Sequence, residues 1–221
     1  MPSIIIVGAG PGLGLSVARR FQNDGYAVAV IARRPSTVAA VIDSLNETAP
    51  TQAAIGFTAD SAIEPDLLAA LDQAVAVHGV PDVLLYNAGV IRTDQIGDLT
   101  AAQLLHTYAV NVVGAASTAG HVGPLMAARG SGTILITGGM GQPSSDWVSL
   151  SLGKFGVRTL TTLLAQTYGP SGVHVGTIAV TERIAPDTAY DPDVIADLYA
   201  EVHAQQPSDW DLERIFTPTS V

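Results

Sequence analysis

The sequence predicts a single doubly wound α/β domain built on a parallel sheet. Three observations carry that prediction. Short, apolar, β-branched runs alternate with segments whose apolar residues recur at helical spacing. That alternation builds right-handed βαβ crossovers. The first run, Ile4–Val7, opens directly onto a glycine-rich turn, Gly8-Ala9-Gly10-Pro11-Gly12-Leu13-Gly14. The polar and small residues that break the pattern fall just after the runs, at the strand ends where open sheets of this class hold ligands.

Ile4–Val7 is continuous and apolar, as expected of a buried parallel strand. Behind the glycine turn, Leu13, Val17, Ala18 and Phe21 share a helical face. Gly25 is placed as that helix's C-cap. Tyr26–Ala32 predicts the second strand, which ends in Arg33-Arg34-Pro35-Ser36. Ser36 is placed to cap a helix through Leu45, with Val38, Val41, Ile42 and Leu45 on one face. Ala53–Ala59 predicts a third strand ending in Asp60-Ser61. Pro65–His78 predicts a helix with Leu67, Leu68, Leu71 and Val75 apolar. Asp82–Tyr86 predicts a fourth strand ending in Asn87-Ala88-Gly89. Thr100 is placed to cap a helix carrying Leu104, Leu105, Tyr108, Val112 and Val113 toward Met126. Gly132–Thr137 predicts a fifth strand ending in Gly138-Gly139-Met140-Gly141, Ser149–Tyr168 a helix, and Val173–Val180 a sixth strand. Thr181–Val221 holds two weak helical patches, Pro192–Gln205 the better, and a polar tail with Trp210 and Phe216. Without repeats or linkers, residues 1–221 read as one domain.

At 221 residues, with 48% hydrophobic and 14% charged content, the chain can bury a substantial core. No apolar run approaches the roughly 18 residues of a membrane span. Ile4–Val7 leads straight into the glycine turn, with no basic region before it, so no signal peptide is read and a cytoplasmic location is expected. The absence of cysteine excludes disulfides, thiolate catalysis and Cys-bound zinc. A net charge of −10 argues against nucleic acid as a partner. His78, His106, His121, His174 and His203 are dispersed, without metal-ligand spacing, so no metal is expected. No G-x-S-x-G elbow supports a serine hydrolase.

The glycines follow G-x-x-x-G-x-G rather than G-x-G-x-x-G. The physical roles are similar: a tight turn, close approach of backbone to pyrophosphate, and close helix–sheet packing. At the end of the second strand an acidic residue would take a ribose 2′-OH, and an arginine a 2′-phosphate. Arg33 and Arg34 stand there, so NADP(H) is expected in preference to NAD(H).

Gly8–Gly14, Asp60, Asn87-Ala88-Gly89, Asn111 and Lys154 come in the order and approximate spacing of the short-chain dehydrogenase/reductase superfamily, which the chain resembles from Ile4 to about Ile184. The resemblance implies that Asp60, with Ser61 beside it, meets the adenine and that Asn87, Ala88 and Gly89 line the cofactor. It implies that Ile184 offers its backbone to the carboxamide, and that residues 181–221 form a short lid over a small-molecule substrate. It also implies a homodimer or homotetramer paired through the helices carrying Asn111 and Lys154.

Carbonyl reduction in that family uses a serine after the fifth strand, a tyrosine, a lysine four residues on, and an asparagine completing a water relay. Lys154 and Asn111 match. Leu150 stands where the tyrosine would be. The serine falls on Gly138, which has no side chain, or on Thr137, which has a hydroxyl. Tyr86 and Tyr108 read as core more than as acids. Ser149, Ser151, Asp146, Tyr190 and Tyr199 are further candidates, with Asp146 equally a helix cap. The implied function is an atypical oxidoreductase. The alternative is a redox-silent nucleotide-binding protein, or one that does non-redox chemistry.

Overall fold

The computed structural model describes residues 1–48 and 54–218. Seven parallel strands form one sheet, in the order β3-β2-β1-β4-β5-β6-β7. The elements, in chain order, are β1 (Ser3–Val7), α1 (Leu13–Asn23), β2 (Ala27–Ala32), α2 (Pro35–Thr48), β3 (Ile55–Thr58), α3 (Glu64–His78) and β4 (Val83–Tyr86). They continue with α4 (Ala101–Tyr108), α5 (Gly114–Arg129), β5 (Gly132–Thr137), α6 (Val148–Tyr168), β6 (Val173–Ala179), α7 (Pro192–His203) and β7 (Glu213–Ile215). The doubly wound parallel sheet is as expected. Ala53, expected in the third strand, lies outside the described residues.

The order reverses between β1 and β4. There the neighbouring chain segments leave to opposite faces and open a crevice. Side chains alternate across the sheet. Ile4, Ile6, Val28, Val30, Val83, Leu85 and Leu135 pack on α1, α2 and α7. Ile5, Val7, Ala29, Ile31, Leu84, Tyr86, Ile134 and Ile136 pack on α3, α5 and α6. Ile4, Ile5 and Ile6 are fully buried, which at about 1.5–3 kcal/mol per side chain makes β1 the strand the rest packs around.

Helix ends follow local chemistry. Phe21, Gln22 and Gly25 close α1 in a Schellman turn. Gly25, at φ +88°, donates to the Gln22 carbonyl and Tyr26 to that of Phe21. The Phe21 and Tyr26 rings meet edge to face across it. Thr100 caps α4 in a reciprocal box with Gln103.

Four expectations are corrected. Ser36 lies inside α2, not at its cap: Pro35 takes the first helical position and the Arg34 carbonyl accepts from Thr37 and Val38. The Thr100–Met126 helix is interrupted by a π-helical segment at Ala109–Val113. Asp146 does not cap α6; Asp94, from the loop after β4, accepts from the Ser149 amide at 2.8 Å and from its hydroxyl. Asp146 instead accepts from Gln95. Finally, the polar tail forms β7, paired to β6, a strand too short and polar to announce itself by periodicity.

Candidate active site

The glycines of the first turn divide by what surrounds them. Gly8 sits at φ +92°, and a Cβ there would lie 2.2 Å from the Ala88 nitrogen. A Cβ on Gly14 would lie 2.8 Å from Ala9 Cα and 2.9 Å from the Gly8 oxygen. These two glycines let strand, turn and helix touch. Gly10 and Gly12 have no neighbouring atom within 4 Å of a Cβ position. Their bareness leaves backbone facing open space, where a pyrophosphate would lie. Leu13 is buried in the core and begins α1. Gly12 supplies no side-chain cap and the first turn holds no acidic residue. The helix N-terminus therefore offers its N–H groups to an anion.

The crevice above this turn is lined by Val7–Gly10, Ile31–Arg34, Thr37, Ala59–Ser61, Asn87–Val90 and Val110. The structure thus brings Gly8, Gly10, Arg33, Arg34, Asp60, Ser61, Asn87, Ala88 and Gly89 to one cleft. Both arginines are exposed at the end of β2, and Arg33 also borders an adjoining hollow with Arg92 and His106. Asp60 Oδ1 accepts from the Ala62 amide at 3.0 Å, which fixes the turn after β3. Asn87 braces three strand ends: Nδ2 donates to the Gly8 carbonyl at 2.9 Å, and Oδ1 accepts from Thr137 Oγ1 at 2.8 Å. Ile184 is not part of this lining; it packs half-buried on the core beneath α1 and α7.

Lys154 is not part of this lining; on α6, its Nζ donates to the Thr137 carbonyl at 2.8 Å. Desolvation lowers its pKa to about 8. Asn111 lies in the π-helical segment. Its Oδ1 accepts from the Val90 amide at 2.6 Å and its Nδ2 donates to the Val90 carbonyl at 3.3 Å, so the amide holds the loop after β4. A Cβ on Gly153 would lie 2.8 Å from Asn111, so glycine there lets α6 close on the π-helical segment. That segment has an identifiable cause. Gly114 donates to the Ala109 carbonyl, and the Val110 carbonyl takes the Tyr86 hydroxyl instead. Burial pushes the Tyr86 phenol up to about 12, and it is a core residue, as expected.

Thr137, expected at the oxygen contact, has its hydroxyl engaged within the fold. It shares the α1/α7 face of β5 with Thr133 and Leu135, away from Lys154. Its hydroxyl donates to Asn87 and accepts from Tyr199 at 2.8 Å. Gly138 follows on the Lys154 side. A Cβ on it would lie 2.6 Å from Thr177 Oγ1, which donates to the Ile136 carbonyl at 2.9 Å. Leu150 is buried one turn before Lys154. The other hydroxyls are engaged elsewhere. Ser149 donates to Asp94, and Ser151 Oγ accepts from the Ser144 amide at 3.0 Å. Tyr190 packs on Phe216, and Tyr108 stands partly in solvent.

Two residues escaped the sequence reading. Asp94 carries no periodic signal, and only the fold brings it to α6. Arg158 lies four residues beyond Lys154 on the same helical face, a spacing that was legible. It donates to the Met140 carbonyl at 2.7 Å and to Glu213 at 2.6 Å, tying the loop after β5 to β7. Among the described residues no group of three His, Asp or Glu side chains could hold a metal, and no helix is long and apolar enough to cross a membrane.

A doubly wound sheet with a glycine turn, a cationic strand end and an asparagine brace at its switch point defines a dinucleotide-binding α/β protein. The short chain dehydrogenase family profile matches residues 2–184. The chain is 31% identical over 210 residues to cis-4-hydroxycyclohexanecarboxylate dehydrogenase of Sinomonas cyclohexanicum, covering 92% of this chain and 80% of that one. A solved structure of a metagenomic short-chain oxidoreductase in complex with NADP superposes with a TM-score of 0.88 at 25% identity, over 99% of this chain and 98% of that one. A short-chain dehydrogenase from Rhodopseudomonas palustris superposes at 0.86, with 22% identity and 99% of both chains covered. The protein belongs to the short-chain dehydrogenase/reductase family of oxidoreductases.

Proposed function

We propose that the protein is an atypical NADP(H)-dependent oxidoreductase acting on a small organic substrate with a carbonyl, imine or activated C=C group. The observation that carries the cofactor choice is the Arg33-Arg34 pair at the mouth of the cleft. It suits a 2′-phosphate, and no carboxylate stands beside it at the end of β2 to take a bare ribose hydroxyl. The open backbone at Gly10 and Gly12 and the N-terminus of α1 fit the pyrophosphate. Bound there, the cofactor supplies a hydride. Asp60 and Ser61 would hold its adenosine half, Asn87, Ala88 and Gly89 its middle, Lys154 its nicotinamide ribose and the Ile184 backbone its carboxamide. Asn111 keeps the wall of the site in place by holding Val90.

The atypical character rests on Leu150 and Gly138, which bring no hydroxyl to the Lys154 side of the cleft. The same two residues favour a second reading, a redox-silent member that senses nucleotide or does non-redox chemistry. The lid is read within residues 181–221, of which α7 packs into the core and β7 pairs with β6. We read the molecule as a cytoplasmic homodimer or homotetramer. The exposed Leu105, Tyr108, Val113, Leu152 and Leu163 support pairing through α4, the π-helical segment and α6; light scattering checks it.

Fluorescence titration with NADPH and NADH, followed by turnover on ketone, imine and enone panels, tests these readings. Tighter NADPH binding that is lost in Arg33→Ala supports the cofactor choice. Equal affinity for both nucleotides overturns it. Binding without turnover on any panel leaves the redox-silent reading standing.

A further inference from the structure

A chain of side-chain hydrogen bonds runs from α7 across β5 and the end of β4 to the glycine turn. We propose, resting on the reading of the cleft as a nicotinamide-nucleotide site, that Tyr199 and Thr137 are positioning residues for Asn87. Through Asn87 they set the Gly8–Gly10 backbone that receives the nucleotide.

Donor and acceptor chemistry gives every bond of this chain one direction. The Gly8 carbonyl accepts from Asn87 Nδ2 at 2.9 Å and from the Gly10 amide at 3.0 Å. A carbonyl needs donors, so the NH2 end of the Asn87 amide faces Gly8 and its oxygen faces away. Oδ1 can only accept, and it takes the Thr137 hydroxyl proton at 2.8 Å. With that proton spent, Thr137 Oγ1 is left as the acceptor for Tyr199, whose hydroxyl stands at 2.8 Å. The Tyr199 ring is fully buried, in the core layer that includes α1. A buried polar group that loses its partner is not resolvated, so each link depends on the next. Neither Tyr199 nor Thr137 lines the cleft, whereas Asn87, Gly8 and Gly10 do. A Cβ on Gly14 would lie 3.2 Å from Asn87 Nδ2, so the bare start of α1 admits the amide.

The fold contains its own control. Thr133 lies four residues before Thr137, on the same face of β5. It also reaches α7, sharing a hydrogen bond of 2.8 Å with His203 Nδ1. Residue type, strand, face and partner helix are all matched. The difference is that the Thr133 bond lies near the amino end of β5 and does not continue to Asn87.

The test compares full-length wild type with Thr137→Val, Thr137→Ser, Tyr199→Phe and Thr133→Val, by thermal melts and by fluorescence titration with NADPH and with NADH. Valine keeps the branched shape of threonine without the hydroxyl, serine keeps the hydroxyl, and phenylalanine keeps the buried ring. Both valine variants are expected to melt below wild type. Thr137→Val is expected to weaken the nucleotide that wild type binds by about tenfold, and Tyr199→Phe by about threefold. Thr137→Ser and Thr133→Val are expected to bind as wild type does. Wild-type affinity in Thr137→Val or Tyr199→Phe overturns the proposal and leaves the nucleotide reading intact, the hydroxyls then serving stability alone. An equal loss of affinity in Thr133→Val overturns it too, because general loosening of α7 would then explain the effect. Wild type that binds neither nucleotide overturns both.

Discussion

Gly138 and Thr177 share one space, and that fixes what a single substitution can do. A serine at 138 would bring its Cβ to 2.6 Å from Thr177 Oγ1, a contact real structures do not hold. Gly138→Ser is expected to destabilise the fold by about 1–3 kcal/mol, and adding Thr177→Ala to recover part of that. Thermal melts of the two single variants and the double variant read the coupling. The glycine turn gives a second prediction. Gly8→Ala forces a Cβ into the Ala88 backbone at a left-handed φ, so it lowers the melting temperature. Gly10→Ala meets no protein atom, so it melts like wild type but weakens NADPH binding, read by titration. At this scale the sequence was legible where a residue's place depends on its neighbours in the chain: Gly8 forms the tight turn and Arg33 stands at the end of β2, as read. The partners of Thr137 were not legible, because only the pairing of β5 shows which face its hydroxyl takes.

Among the elements, α6 carries most consequence, since it holds Leu150, Lys154 and Arg158. Its N-terminus is capped from another part of the chain, by Asp94. The Asp94 carboxyl is held below its usual range by hydrogen bonds from Ser149 and by Arg92, against the desolvation that opposes them. Asp94→Ala leaves a buried amide and hydroxyl without their acceptor, at a cost of about 1–3 kcal/mol. For a chain of this length that is roughly 2–4 °C per kcal/mol in melting temperature. Calorimetry reads the loss, and Asp94→Asn, which keeps one acceptor oxygen, recovers part of it. Strand and helix order was readable because hydrophobic period distinguishes buried strand from amphipathic helix. The π-helical segment was not, because its cause is the Tyr86 hydroxyl arriving from another strand. β7 was missed because three exposed residues carry no pattern.

The whole molecule places its buried imidazoles far from the cleft, around the amino ends of the strands. His203 exchanges hydrogen bonds with Tyr26 and Thr133, both at 2.8 Å, and His174 stacks on Trp210. Burial holds both below the ordinary value of 6.5. The unfolded chain therefore binds protons first as pH falls. Stability is full above about pH 6.5 and is lost as the pH drops toward the folded-state values. Melting temperature across mildly acidic pH should show this, with a shallower slope in His203→Gln. Doubly wound architecture was the most legible level of all, since alternation and strand-end residues express it along the whole chain. One property of the surface follows from the solitary lysine: apart from the amino terminus, its fixed positive charges are guanidinium groups. A reagent or metabolite that acylates amines thus meets one ε-amino group, drawn into the fold with its ammonium on the Thr137 carbonyl. Acylation of the folded protein at lysine is then a matter of local opening, not of surface decoration.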